Sequence, residues 1–154
     1  MTGVQTCALP ILTREQFLKM LLLAVSAEID NAENTFGDVL DNGWYKDYVL
    51  TAKKLGIVNG ISTDEFGIGT NITRQDMAVM IARTMEKFKI QPEKKNVVSF
   101  GDDDKISDYA KESVKLMKSI GLIEGYNNEY RPTDNLTKAE AAKVIAGILS
   151  YVES

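Results

Sequence analysis

The spacing of apolar positions predicts one helical stripe three times over. Phe17, Met20, Leu21, Ala24 and Val25 fall at i, i+3, i+4, i+7 and i+8. Met77, Met80, Ile81, Thr84, Met85 and Phe88 repeat the stripe, and Ala141, Val144, Ile145, Ile148, Leu149 and Val152 carry it again. The first helix is predicted over Leu12 to Glu28, where Leu22 and Leu23 widen the stripe and argue for extensive burial. The second starts at Thr73 and the third after Leu136. A shorter helix precedes each of the last two. One is Trp44 to Leu55, with Tyr45, Val49, Ala52 and Leu55 near one face; the other carries Tyr109, Val114, Met117 and Ile120 at matching places. Gly56 follows the last apolar residue of the first of these and suits a left-handed C-terminal cap.

The three long helices also open alike. Leu12-Thr13-Arg14-Glu15-Gln16, Ile72-Thr73-Arg74-Gln75-Asp76 and Leu136-Thr137-Lys138-Ala139-Glu140 are successive versions of one motif, 60 and then 64 residues apart. Such self-similarity fixes the architecture before any single element does. Each Thr is placed as an N-cap whose hydroxyl accepts from a free N–H of the first turn. Gln16 and Glu140 complete a capping box, and Asp76 a shortened one; Leu12 with Phe17, Ile72 with Met77 and, more weakly, Leu136 with Ala141 have the spacing of a hydrophobic staple.

Helix physics leaves Arg14, Arg74 and Lys138 over. A cation at the first helical position opposes the macrodipole by about 0.3–1 kcal/mol. Either the cation and the helix N-terminus together receive an anion, or the cation pairs with an acid of a neighbouring unit, such as Asp38 or Asp102.

Extending the match outward divides the chain. Residues 36–88 form a whole unit, 89–99 with Pro92 a linker, and 100–152 a second whole unit. Phe36-Gly37-Asp38 matches Phe100-Gly101-Asp102, and Gly56-Ile57-Val58-Asn59-Gly60 matches Gly121-Leu122-Ile123-Glu124-Gly125. Residues 12–30 then supply only the second half of a first unit. Residues 1–11 read as the translated tail of a sequencing-library adapter and are set aside as artefactual. On that reading Cys7 says nothing about redox compartment, a signal peptide is expected further upstream, and the missing half-unit leaves apolar surface beside Leu21 and Leu22 that invites self-association.

Composition narrows the chemistry. The 154 residues carry a net charge of −4 and no histidine, which removes the commonest general base and metal ligand. No basic cluster suggests a nucleic-acid partner, and no apolar run is long enough to span a membrane. The acidic run Asp102-Asp103-Asp104 is the candidate for paired-carboxylate glycoside hydrolysis, with a solvated turn as the alternative. An EF-hand starting at Asp102 would need glycine and glutamate where Ser107 and Ser113 stand, so that form of calcium site is rejected. No cofactor, metal site or catalytic set is expected.

The combined pattern resembles the S-layer homology domain: Phe-x-Asp, an aromatic, Gly-[Ile/Leu]-x-x-Gly, then Ile/Leu-Thr-Arg/Lys. The resemblance implies an all-α, pseudo-threefold unit of tandem helical repeats, incomplete here, with grooves between repeats. It implies a module that anchors an S-layer or exported surface protein to the cell envelope, outside the cell. The partner it implies is a secondary cell-wall polysaccharide bearing pyruvate ketals, whose carboxylate would be the anion. The family's arginine falls on Arg14 and Arg74, with Lys138 a departure. Its aromatic falls on Trp44 and Tyr109, as a sugar platform or as core packing. Its acid falls on Asp38 and Asp102, with turn capping the alternative, and its turn glycines on Gly60 and Gly125. Its loop proline is matched by Pro132 near Tyr130, whereas the loop at Phe66 has Ile68 there. The other readings are a structural, partner-binding helical repeat without carbohydrate affinity and an ancillary module of a surface glycoside hydrolase.

Overall fold

A computed structural model describes residues 10–153, so the reading of residues 1–9 lies outside the described chain. The protein is all-α: α1 Arg14–Ala24, α2 Lys46–Lys54, α3 Arg74–Lys87, α4 Asp108–Ser119 and α5 Lys138–Val152, with a 3-10 turn at Asp103–Lys105. Among the described residues the only β-type pairings are isolated bridges. Helix α3 packs on α4, and α1 on α2, α3 and α5.

The three copies of the motif meet at the centre of the molecule. Ile72 N–H donates to the Leu12 carbonyl (3.0 Å), Leu136 N–H to Ile72 (2.9 Å) and Leu12 N–H to Leu136 (3.3 Å), which closes a ring of backbone hydrogen bonds. All three side chains in that ring are buried. A second ring lies outside it. The first N–H of α1 goes to the Thr70 carbonyl, that of α3 to Asp134 and that of α5 to Pro10, at 2.8–3.0 Å. A helix N-terminus normally leaves these donors free. Here each is consumed by the loop leading into another helix, so the first N–H of each helix is not open to an anion.

Local chemistry sets the element ends. Thr13, Thr73 and Thr137 each accept from the N–H three residues on. Gln16 and Glu140 complete capping boxes. The shortened box expected at Asp76 does not form: α3 has only the threonine half, and the Asp76 carboxylate is directed elsewhere. Helix α1 stops at Ala24 instead of reaching Glu28 because Ser26 turns left-handed (φ 52°), with Ser26 N–H on Leu23 and Ala27 N–H on Leu22. That is the paired closure of a Schellman motif. Gly56 closes α2 the same way, its own N–H on Lys53 and Ile57 N–H on Ala52.

The stripes bury most of the expected residues, with three differences. Leu21 and Leu22 are fully buried, and the exposed leucine of α1 is Leu23 (55%). Leu149 and Val152 at the end of α5 are partly exposed instead of buried. Trp44 and Tyr109 are 54% and 60% exposed. Core packing is therefore not their role; the inward aromatic of the second unit is Tyr45, and its counterpart Ala110 is fully buried.

Candidate functional site between the helical units

The two motif arginines are held by the unit that follows. Arg14 donates from Nε to the Phe66 carbonyl (3.1 Å) and from Nη1 to Asp76 Oδ2 (3.0 Å), with its guanidinium over the Phe66 ring at 5.1 Å. Burial lowers the Arg14 pKa from its ordinary value, and the Asp76 charge opposes that shift. Arg74 repeats the arrangement: Nε on the Tyr130 carbonyl (2.7 Å), an ion pair with Glu140, and the guanidinium 4.8 Å from the Tyr130 ring centre. The acids met by the arginines are thus the fifth residues of the next motif, not Asp38 or Asp102. Lys138 faces no such acid, because the corresponding residue of α1 is Gln16. Among the described residues it makes no ion pair, and it is exposed.

Asp38 and Asp102 spend their carboxylates on loops. Asp38 accepts from the N–H groups of Phe66, Gly67 and Ile68 (2.7–2.8 Å). Asp102 accepts from Tyr130 and Arg131 at 2.8 Å and is buried. Burial works against ionisation of both, but the N–H donors outweigh it and hold each carboxyl below the usual range. Each acid folds the loop that presents Phe66 or Tyr130 to an arginine, which fits the turn-capping alternative. Gly60 (φ 92°) and Gly125 (φ 74°) sit against the Phe36 and Phe100 rings. A Cβ at either would come within 2.7 Å of the ring, so their own turns require glycine.

These contacts build one cavity of about 390 Å³ from several predicted residues. Arg14, Gly60 and Tyr109 line it together with Asp76, Met80 and Arg83. Its size lies at the small end of the roughly 300–1,000 Å³ of ligand clefts. The Tyr109 hydroxyl donates to Asp76 Oδ1 at 2.6 Å. Burial of that end, then the hydrogen bond to Asp76, pushes the phenol up to about 12. It therefore stays a donor at neutral pH while the ring remains open. Asp76 is clamped between Arg14 and Tyr109, which joins three sequence units in one wall.

A second cavity, about 460 Å³, collects Trp44 and Lys138 with Leu12, Gln16, Lys19 and Met20. The Lys19 ammonium lies 5.4 Å from the Trp44 ring and 5.5 Å from Tyr48. Arg74 is not brought into either cavity, nor are Asp38, Asp102 and Gly125. Two contributors had not been singled out in the sequence. In the sequence Asp76 reads as part of its own helix start. Arg83 sits on the polar flank of α3, and only its failure to repeat as Leu23 and Gly147 sets it apart. No group of His, Cys, Asp or Glu among the described residues is arranged to hold a metal, and no helix there is long and apolar enough to cross a membrane.

The S-layer homology domain model matches residues 35–78 and 99–142, more than half of the chain. Curated relatives fall into two kinds. An amylopullulanase of Thermoanaerobacterium thermosulfurigenes is 31% identical over 151 residues, covering 97% of this chain and 8% of its own length. Exoglucanase XynX of Acetivibrio thermocellus is 32% identical, covering 97% of this chain and 14% of its own. S-layer protein EA1 of Bacillus anthracis is 28% identical over 131 residues, covering 84% of this chain and 14% of its own. The chain spans a small fraction of each, and proteins with very different names share that fraction. With the tandem motif, the all-α ring and the two model matches in agreement, this chain belongs to the S-layer homology domain family.

Proposed function

We propose that this chain is a non-covalent cell-envelope anchor that binds secondary cell-wall polysaccharide at the cell surface, through the carboxylate of a pyruvate ketal and the ring of the sugar carrying it. The observation that carries the reading is the 390 Å³ cavity, where a guanidinium wall, the open ring of Tyr109 and the backbone turn at Gly60 converge. An exposed aromatic beside fixed cations suits an anionic sugar: the ring covers an apolar sugar face, and the cations select the charge. The Trp44 cavity offers the same pair of elements with Lys138 and Lys19. A purely structural repeat gives no reason for leaving both aromatics more than half exposed.

The cargo is a separate matter. Three relatives, the amylopullulanase, the exoglucanase and an endoglucanase of a Bacillus strain, carry enzyme names. These favour a surface glycoside hydrolase as one parent protein, in which this region is the ancillary anchor and catalysis lies elsewhere. The test is co-sedimentation of the chain with purified secondary cell-wall polysaccharide before and after removal of the ketal-linked pyruvate. Retention on the pyruvylated polymer and loss on the stripped one is the expected result. Equal behaviour on both would refute the carboxylate reading.

A further inference from the structure

The 390 Å³ cavity contains two guanidinium groups in different states. Arg14 is buried, with Nε and Nη1 occupied by the Phe66 carbonyl and Asp76. Its charge is offset by Asp76, and its geometry is fixed by the Phe66 ring. Arg83 is half-buried and makes one hydrogen bond, from Nη1 to the Ile57 carbonyl at 3.3 Å. Among the described residues it has no ion pair. Glu86 and Glu112 line a neighbouring cavity with it, and neither comes within ion-pair distance. An arginine has five donors in a planar fork, so most of the capacity of Arg83 is unspent at the cavity wall.

The same register in the other units differs. Counting from the motif cation, the place of Arg83 is taken in α1 by Leu23, which is exposed. In α5 it is taken by Gly147, where an added Cβ would lie 2.4 Å from the Leu122 side chain. Neither of the other two long helices therefore carries a guanidinium at this place.

We infer that Arg83, not Arg14, takes the ligand's anionic group in the 390 Å³ cavity, as the guanidinium there whose donors are largely unspent. The inference rests on the anchoring reading above. Arg14 is a positioning residue that holds Asp76, and through it Tyr109, while Arg83 offers a fork matched to a carboxylate. The Trp44 cavity has Lys138 and Lys19 instead, point charges without that fork.

The test titrates the whole chain, its Arg83→Leu variant and its Arg83→Lys variant with pyruvylated secondary cell-wall polysaccharide and with the stripped polymer, at low and high salt. Thermal melts confirm that each variant folds. Arg83→Leu is expected to weaken binding of the pyruvylated polymer at least tenfold and to reduce its salt dependence. It should bind the stripped polymer as the parent chain does. Arg83→Lys, which keeps the charge and loses the fork, should recover part of the affinity. If the parent chain discriminates between the polymers and Arg83→Leu discriminates equally, the role of Arg83 is overturned while the anchoring reading survives. If the parent chain treats both polymers alike, the anchoring reading falls first and takes this inference with it.

Discussion

The interface between α1 and α3 and the interface between α5 and α1 are built from the same five-residue motif, yet they are physically unlike. In the first, the cation is a buried arginine that meets Asp76, a carbonyl and an aromatic face. In the second it is an exposed lysine opposite Gln16. The motif's cation and acid thus act between copies: each arginine is answered by the acid of the following copy, and the lysine is answered by none. A pattern that looks like three equal repeats encodes two locked joints and one open one.

The largest expected consequence is an asymmetry in stability. Arg14→Ala removes a buried guanidinium, strips Asp76 of its cationic partner while Tyr109 remains, and takes a donor from the Phe66 carbonyl. It should cost about 3 kcal/mol, the low end for breaking a buried pair, since Asp76 remains partly in water. Lys138→Ala should stay within about 0.5 kcal/mol, as exposed substitutions usually do. Urea unfolding with unchanged m-values measures both. Equal costs would mean that the two interfaces are the same after all.

A second expectation concerns the loops that serve the locked joints. Asp38→Asn leaves three N–H donors facing a side chain that can satisfy only some of them, and should cost about 2 kcal/mol at neutral pH. The folded carboxyl titrates below its ordinary value of 3.8. Its contribution is therefore present above that value and is lost as pH falls through the depressed folded value. The difference between parent and variant should accordingly be constant above about pH 5 and shrink below about pH 4. Asp102→Asn should follow the same profile. A difference that persists unchanged at pH 2 would show that the charge of Asp38 is not what holds the loop.

Much of this was legible in the sequence, for a physical reason. Helix stripes, threonine caps and the Gly56 closure are local, with cause and effect within a few residues. Cross-unit facts were not. Nothing within the second motif says that Asp76 will leave its own N-cap for Arg14, because that depends on how the copies close into a ring. The acid's length offers a hint: Glu140 both caps its helix and meets Arg74, whereas the shorter Asp76 does only the second. The sequence leaves Trp44 between sugar platform and core packing because Tyr45 beside it satisfies the same apolar count. Arg83 was invisible for a related reason: on an amphipathic helix a charged flank residue is ordinary until another unit forms a wall opposite it.

The smallest predicted effect is the sharpest probe of the comparison. Gln16→Glu places an acid where the open joint lacks one, opposite Lys138. Glutamate at that position also completes a capping box and suits the first turn of a helix. A raw gain in stability would therefore mix two causes. A double-mutant cycle with Lys138→Gln separates them, because the cap and dipole contributions are present with either residue at 138 and only the ion pair is lost. The coupling should be about 0.3–0.5 kcal/mol, the size of an exposed pair. It should vanish in 1 M salt, where the screening length falls to about 3 Å. By contrast, the coupling between Arg14 and Asp76 should survive the same salt, because the Arg14 side chain is only 7% exposed. If both couplings screened alike, burial of Arg14 would not be what separates the locked joint from the open one.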